Sequence, residues 1–405
     1  MEGLAADPRG GPGLYLDACA TTPPAPEVMD AMARAAEGAW ANPSSLHGFG
    51  LAAADCLERS RWRLAALLGA GPEQLIFCSG GSEAIHTALL GSAAALETGR
   101  LVISAVEHPA TVAAARQLAR RGWRVEIWPV DRFGVVLPER MEELLAPPTR
   151  LLSLIWGQSE VGALQPIEEI GRHCRAAGVR FHLDGVQVVG HRPVRFDQLP
   201  VDLLSCTAHK LRGPRGVGAL LVRPGLRLEP LIGGGGQEAG RRGGTEPVVL
   251  AAGFAAALDL AQGRLAAHGG ADPTGSVRDQ LLERLLALDG IRLSGPPPHH
   301  PQGRLPHHLS LLVRGSDGRP LSGRRLVRAL WRQGLAVSSG SACASGAGAV
   351  GSEEQPSTIL LAMGYEATEA RSGLRLSLGP WLVPGDLDGV PQALERARAD
   401  VEAGS

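Results

Sequence analysis

Among the 40 Lys+Arg residues of this 405-residue chain a single one is lysine, Lys210, in the stretch "CTAHKLRGPRG". Both residue types carry positive charge, but only the primary amine of lysine adds to a carbonyl carbon. A lysine retained where arginine fills every other basic position points to imine chemistry, unless it is one surface residue that escaped replacement. Other chemically capable groups also follow short apolar runs: Ser82 and Glu83 after "LIFCSGG", His108 after "LVISAV", and Asp184 after "RFHL". Together they match the needs of pyridoxal phosphate. A buried carboxylate, Asp184, would keep a pyridinium nitrogen protonated. Gln187, three residues on, would hydrogen-bond the ring oxygen. A glycine turn through Gly81 and Ser82 at a helix start offers N–H and O–H donors to a phosphate. His108 would stack on the ring and serve as acid and base. Each also has an ordinary structural reading: Asp184 as a helix cap, Gly-Gly-Ser as a plain turn, His108 as a packed side chain.

Two residues suit a substrate. Cys343 lies in "AVSSGSACASGAGAVGSEEQPS", whose small residues are expected to form an exposed, mobile loop carrying either a nucleophilic thiol or an unremarked surface cysteine. Arg375, amid the alternating apolar residues of "GLRLSLG", is a bidentate anchor for a carboxylate or half of a structural ion pair. The other cysteines, Cys19, Cys56, Cys78, Cys174 and Cys206, stand in regular apolar contexts and read as buried thiols. No C-x-x-C pair occurs, so neither a metal site nor a disulfide scaffold is expected.

The elements that must position these groups alternate. From about 75 to 225, short apolar runs such as "LVISAV", "LLSLIWG" and "VDLLSCTA" are separated by helical patterns such as "SEAIHTALLGSAAALE" and "IEEIGRHCRAAG". This predicts an α/β fold with a mostly parallel sheet between helices, its ligands beyond the carboxyl ends of the strands. After a glycine-rich link, "LIGGGGQEAGRRGGTEP", and a helical stretch to about 265, "AAHGGADPTG" marks a boundary. A smaller α+β domain follows, with a Pro/His-rich loop "GPPPHHPQGRLPHH" before the strand "LSLLVRG". The expected division is 16–265 for the large domain, with 1–15 and 266–405 forming the small one and the cysteine loop at about 336–357. A net charge of −1 leaves no footprint for nucleic acid or an anionic membrane. No uninterrupted apolar run of about 18 residues is present, and a cytoplasmic protein is expected.

The motifs "YLDACATTPPAPEV", "NPSSLHGFG", "FCSGGSEA", "VEHPAT", "FHLDGVQ", "TAHKLRGPRGVGAL", "RRGGTEP", "AVSSGSACAS" and "LRLSLG" together resemble the cysteine desulfurases of the NifS/IscS type, in class V of the pyridoxal-phosphate-dependent aminotransferases. The resemblance runs almost end to end and implies the fold type I architecture of those enzymes. It implies that Lys210 carries the cofactor, that His108 stacks on it, that Asp184 and Gln187 hold its ring, and that Ser82, Thr207 and His209 hold its phosphate. It further implies an obligate homodimer in which Thr245 reaches the phosphate bound in the partner subunit. Arg375 would hold the carboxylate of L-cysteine, and Cys343 would take its sulfur as a persulfide, leaving L-alanine, for an iron–sulfur scaffold or thiolation protein as acceptor. This chain has Gln158 and Ser159 where those enzymes usually have two asparagines, the second a substrate contact, and Cys19 where alanine is usual. Alternative expectations are a class V relative acting on selenocysteine, cysteine sulfinate or an amino-group acceptor, and a sulfur-assembly scaffold with little turnover.

Overall fold

A computed structural model describes residues 13–340 and 355–404. The chain opens with β1 (Leu14–Tyr15), α1 (Pro26–Gly38) and α2 (Gly48–Leu67). It then alternates through β2 (Leu75–Cys78), α3 (Gly81–Ala94), β3 (Arg100–Ser104), α4 (Pro109–Arg120), β4 (Arg124–Trp128), α5 (Met141–Leu145), β5 (Thr149–Ile155), α6 (Ile167–Ala177), β6 (Arg180–Asp184), β7 (Leu203–Thr207) and β8 (Gly218–Val222). After α7 (Val248–Ala267) come α8 (Thr274–Leu286), β9 (Ile291–Leu293), β10 (His308–Val313), α9 (Gly323–Arg332) and β11 (Leu335–Ala336). The chain ends with α10 (Thr358–Ala362), α11 (Ala367–Ala370), β12 (Gly373–Ser377) and α12 (Val390–Ala403).

Strands β2 to β8 form one seven-stranded sheet in the order β2-β8-β7-β6-β5-β3-β4. Strands β3 to β7 run parallel, and β8 is antiparallel to both neighbours, so β2 shares the direction of the others. Strands β2, β7 and β8 are buried from end to end, as "LIFC", "LLSCT" and "GALLV" must be when helices cover both faces. At the far edge, β4 is largely exposed or half-buried, with only Trp128 fully covered. This is the α/β architecture the alternation predicts. Its consequence for function is that the carboxyl ends of β2, β3, β5, β6 and β7 lie along one edge of the sheet.

A second cluster of buried apolar side chains gathers Leu14 and Leu16 with Leu309, Leu311, Leu374, Leu376 and helices α8, α9 and α12. Here β10 is flanked by β9 and β12, antiparallel to both. Strands β10 and β12 alternate strictly: Leu309, Leu311, Leu374 and Leu376 join this core, while His308 and Ser310, paired in register with Ser377 and Arg375, share the opposite face. The N-terminal β1 pairs with β11, and Asp17 bridges to Ser377. Among the described residues one helix, α7, is long and apolar enough to cross a membrane. It packs against α1 and α2, with Phe254 and Leu258 fully buried.

Candidate active site

Lys210 sits in a short turn after β7, interlocked with the segment 17–22, "DACATT". Its amine donates to the carbonyls of Cys19 (2.5 Å) and Ala20 (2.8 Å). The Thr22 N–H and hydroxyl both donate to the His209 carbonyl at 2.9 Å, and the Thr22 hydroxyl accepts the Arg212 N–H at 2.7 Å. That last bond supports Arg212 in a left-handed conformation (φ 66°), a strained backbone of the kind that holds functional turns. His209 Nδ1 lies 3.1 Å from the Thr21 hydroxyl; burial, with the charges of Lys210 and Arg215, pushes its pKa down to about 4. Thr207 is buried and its hydroxyl donates to Val217, bracing the glycine-rich turn that follows Lys210.

Asp184 closes the adjacent strand β6. It accepts the Val186 N–H at 3.0 Å, and burial pushes its carboxyl up to about 6 against that bond and the nearby charge of Lys210. Gln187 is buried and donates to the same Cys19 carbonyl that receives Lys210, at 2.9 Å. His108 caps α4: Pro109 opens the helix and Nδ1 accepts the Ala110 N–H at 3.1 Å. Burial and the Lys210 charge push its pKa down to about 4, so at neutral pH the ring is uncharged with its proton on Nε2. Next to it, burial pushes Glu107 up to about 8; its Oε1 accepts from Ser104 (2.6 Å) and from the Ile155 N–H (2.9 Å). Burial thus pushes both carboxyls up, Glu107 further than Asp184.

At the end of β2 the chain turns through Gly80 into α3. A Cβ on Gly81 would lie 2.8 Å from Val186, so only glycine lets this helix start approach the turn after Asp184. Ser82 is exposed in the first helical turn, where N–H groups have no intrahelical acceptor. Glu83 pairs with Arg242 at 2.9 Å, tying "RRGGTEP" to this helix start, and Thr245 is exposed three residues beyond Arg242. A phosphorylated pyridine aldehyde fits this donor set. A helix N-terminus with a hydroxyl suits the phosphate, a lysine amine suits the aldehyde, and a buried carboxylate with no ion-pair partner among the described residues suits a protonated ring nitrogen.

Arg375 is buried. Its guanidinium pairs with Asp17 at 2.6 Å and donates to the Ser159 carbonyl at 3.0 Å, so the ion pair weighed as its structural role is present. Ser159 enters the site through this carbonyl. Gln158 is committed elsewhere: its Oε1 accepts the N–H groups of Glu160 (2.5 Å) and Val161 (2.8 Å), and its Nε2 reaches the Val106 carbonyl at 3.3 Å. Cys343 lies outside the described residues. The described residues on either side of it are both tied to this corner: Ser338 exchanges two backbone hydrogen bonds with Arg375, and the Ser357 hydroxyl donates to Glu160.

Two cysteine expectations need correcting: Cys56, expected to be buried, is only half-buried on α2, and the setting of Cys19 is not apolar. Cys19 is buried, but in a polar setting, with its Sγ 3.3 Å from His307 Nε2 and its N–H bonded to the Ser377 hydroxyl at 2.8 Å. Burial raises its pKa, so it remains a thiol. The Pro/His-rich loop also ends earlier than expected, because His308 already belongs to β10 and is fully buried. Asp17, Glu107, His307 and His308 also line this region, and nothing in their local sequence marks the partners they meet. The one available signal was the pair of polar residues entering an alternating strand at "HHLSLLV".

The family described as aminotransferase class-V matches residues 14–388. A cysteine desulfurase from Klebsiella pneumoniae is 37% identical over 392 residues, spanning 95% of this chain and 94% of the relative. Cysteine desulfurase IscS from Dictyoglomus turgidum is 35% identical over 386 residues, with 95% and 94% covered. Among solved structures, a NifS-like protein superposes with a TM-score of 0.84 at 30% identity, covering 96% of this chain and 100% of the other. SspA in complex with cysteine gives 0.77 at 29% identity, with 91% and 99% covered.

Proposed function

The chain belongs to the aminotransferase class-V family and is a cysteine desulfurase, and from that premise we propose that its active site is the strand-end crevice around Lys210, with pyridoxal phosphate as cofactor. The observation that carries this reading is the meeting of Lys210, Asp184, His108 and the Gly81–Ser82 helix start along one edge of a parallel sheet. When bound, pyridoxal phosphate supplies a carbonyl carbon that amines attack and a ring that draws electron density from the α-carbon. Asp184 keeps the ring nitrogen charged, Gln187 orients the ring oxygen, and Gly81, Ser82, Thr207 and His209 surround the phosphate. Lys210 would hold the aldehyde carbon, and its free amine would carry the α-proton of the substrate at Nζ. His108, neutral and fixed by its cap bond, offers its ring face and the Nε2 proton.

Arg375 receives the carboxylate of L-cysteine beside the Ser159 carbonyl. The thiolate of Cys343 attacks the substrate sulfur: an S–S bond forms as the Cβ–S bond breaks. The electron pair stays with the carbon skeleton, which is protonated and leaves as L-alanine, and the persulfide is for delivery to an iron–sulfur scaffold or thiolation protein. Support for Cys343 is the tie of Ser338 and Ser357, on either side of it, to Arg375 and Glu160. We also propose a homodimer in which Thr245 reaches the partner's phosphate. Its support is a run of apolar side chains left in solvent, Trp40 66%, Leu46 91%, Phe49 64% and Trp62 61% exposed. The test is release of alanine and sulfide from L-cysteine and reductant by the purified yellow protein. Lys210→Ala should release no alanine. Cys343→Ser should keep the cofactor's visible absorbance and lose persulfide labelling; full sulfide release by that variant would remove Cys343 from the reaction.

A further inference from the structure

The Ser159 carbonyl accepts two hydrogen bonds, one from Arg375 at 3.0 Å and one from His308 Nε2 at 3.1 Å. Two donors use both lone pairs of a carbonyl oxygen and fix its direction. The surroundings of His308 leave one protonation state that can donate there. Arg304 sits 3.4 Å from Nδ1 and can only donate to it, so the ring proton must lie on Nε2. Arg304 is itself buried and held by the Pro296 carbonyl at 2.7 Å, and Arg278 fixes the loop from behind through the Leu305 carbonyl at 2.9 Å. His308 therefore has a set tautomer, a set orientation and no contact with solvent.

We propose that His308 is a positioning residue for substrate recognition, acting through the Ser159 carbonyl to hold the Arg375 guanidinium where it receives a carboxylate. The proposal rests on the reading of Arg375 as the carboxylate anchor. The physical need for it is Asp17, whose own carboxylate pairs with the other arm of Arg375 at 2.6 Å. A guanidinium presents a planar fork that a carboxylate can take with both oxygens. Held at one arm by Asp17 and at the other by the fixed Ser159 carbonyl, the plane of Arg375 is set. Released from Ser159, it turns toward Asp17, and an incoming carboxylate must then compete with that ion pair. The effect falls on binding of carboxylate-bearing ligands, while Lys210 and Asp184, which carry the chemistry, are untouched.

The experiment compares L-cysteine with cysteamine, the same thiol and amine without the carboxylate, on the cofactor-loaded enzyme. Turnover gives KM and kcat for L-cysteine, and perturbation of the cofactor absorbance gives the cysteamine Kd. Loss of one hydrogen bond in His308→Leu should raise KM for L-cysteine about fivefold to tenfold, with kcat and cysteamine affinity within about twofold of the parent. His308→Gln, whose amide reaches as far as Nε2, should restore KM, whereas the shorter His308→Asn should not. Arg375→Gln tests the underlying reading by itself: it should weaken L-cysteine far more than cysteamine, and equal effects on both ligands would remove the carboxylate anchor and the proposal with it. If Arg375→Gln discriminates but His308→Leu leaves KM unchanged, or weakens both ligands alike, the proposal alone is overturned. Should His308→Leu not fold, equal KM values for the Gln and Asn variants overturn it.

Discussion

Asp184 is charged or neutral according to what shares its burial, which makes it informative at the level of a single residue. In cofactor-free protein its carboxyl titrates near 6, raised chiefly by burial from an ordinary 3.8. The folded chain then holds a proton that the unfolded chain has released, so stability falls as pH rises from about 4 to 6 and the cost persists above that. Asp184→Asn removes the charge. Thermal unfolding of cofactor-free protein should show the variant more stable by on the order of 3 kcal/mol well above pH 6, with the gap closing toward pH 4. In the loaded enzyme the same substitution should lower kcat by orders of magnitude, because an amide does not hold a proton on the ring nitrogen. Stabilisation without the cofactor and inactivation with it would separate this role from that of a helix cap. Lys210 and Asp184 were legible in the sequence because each follows an apolar run that can only be a covered strand. Asp17, Glu107 and His308 were not. They act on partners far along the chain, and no local pattern records a partner 358 residues away, as for Asp17 and Arg375.

The turn into α3 depends on an element that contributes no chemistry. Strand β8 lies between β2 and β7, and Gly218, at its first position, pairs with both Cys78 and Thr207. A Cβ there would come within 2.7 Å of the Gly80 backbone and 2.8 Å of the Cys206 carbonyl. Neither neighbour is the end of a flexible side chain, so the strand or the turn must shift. Gly218→Ala should cost roughly 1–3 kcal/mol in stability, the usual range for overpacking, and weaken cofactor binding at least about tenfold as Gly80 and Ser82 are displaced. Gly38→Ala, at the open end of α1 with nothing within 4 Å, is the control and should change neither. Calorimetric titration of both proteins with pyridoxal phosphate decides it. Strand and helix identities were readable from alternation, since fully buried strands show as continuous apolar runs. The approach of β8 to Gly80 was not, because the chain reverses direction at β8 while its sequence looks like that of its parallel neighbours.

Across the whole molecule the segment after β1 is held by contacts with distant parts of the chain: β1 with β11, Asp17 with Ser377 and Arg375, and Cys19 with His307. The proposed active-site crevice is thus lined by segments from both halves of the chain, and the placing of "DACATT" there could not be read from its composition. Subunit pairing is the corresponding prediction at this scale. Light scattering should give twice the chain mass, and Phe49→Arg, a charge placed in the exposed apolar run, should shift it toward one chain. Cofactor retention should fall in parallel, since Thr245 would lose the phosphate it reaches across the interface. A Phe49→Arg protein that stays paired and keeps its cofactor would place the interface elsewhere.

The cationic groups at the heart of this crevice, Lys210 and Arg375, are held by the carbonyls of Cys19 and Ser159. A main-chain oxygen persists whatever side chain its residue bears. Scanning these two positions with alanine would therefore understate them, and only an amide-to-ester exchange in the backbone would weaken the acceptor itself. The same fact means that the residue types at 19 and 159 can change while the acceptors that hold Lys210 and Arg375 stay in place.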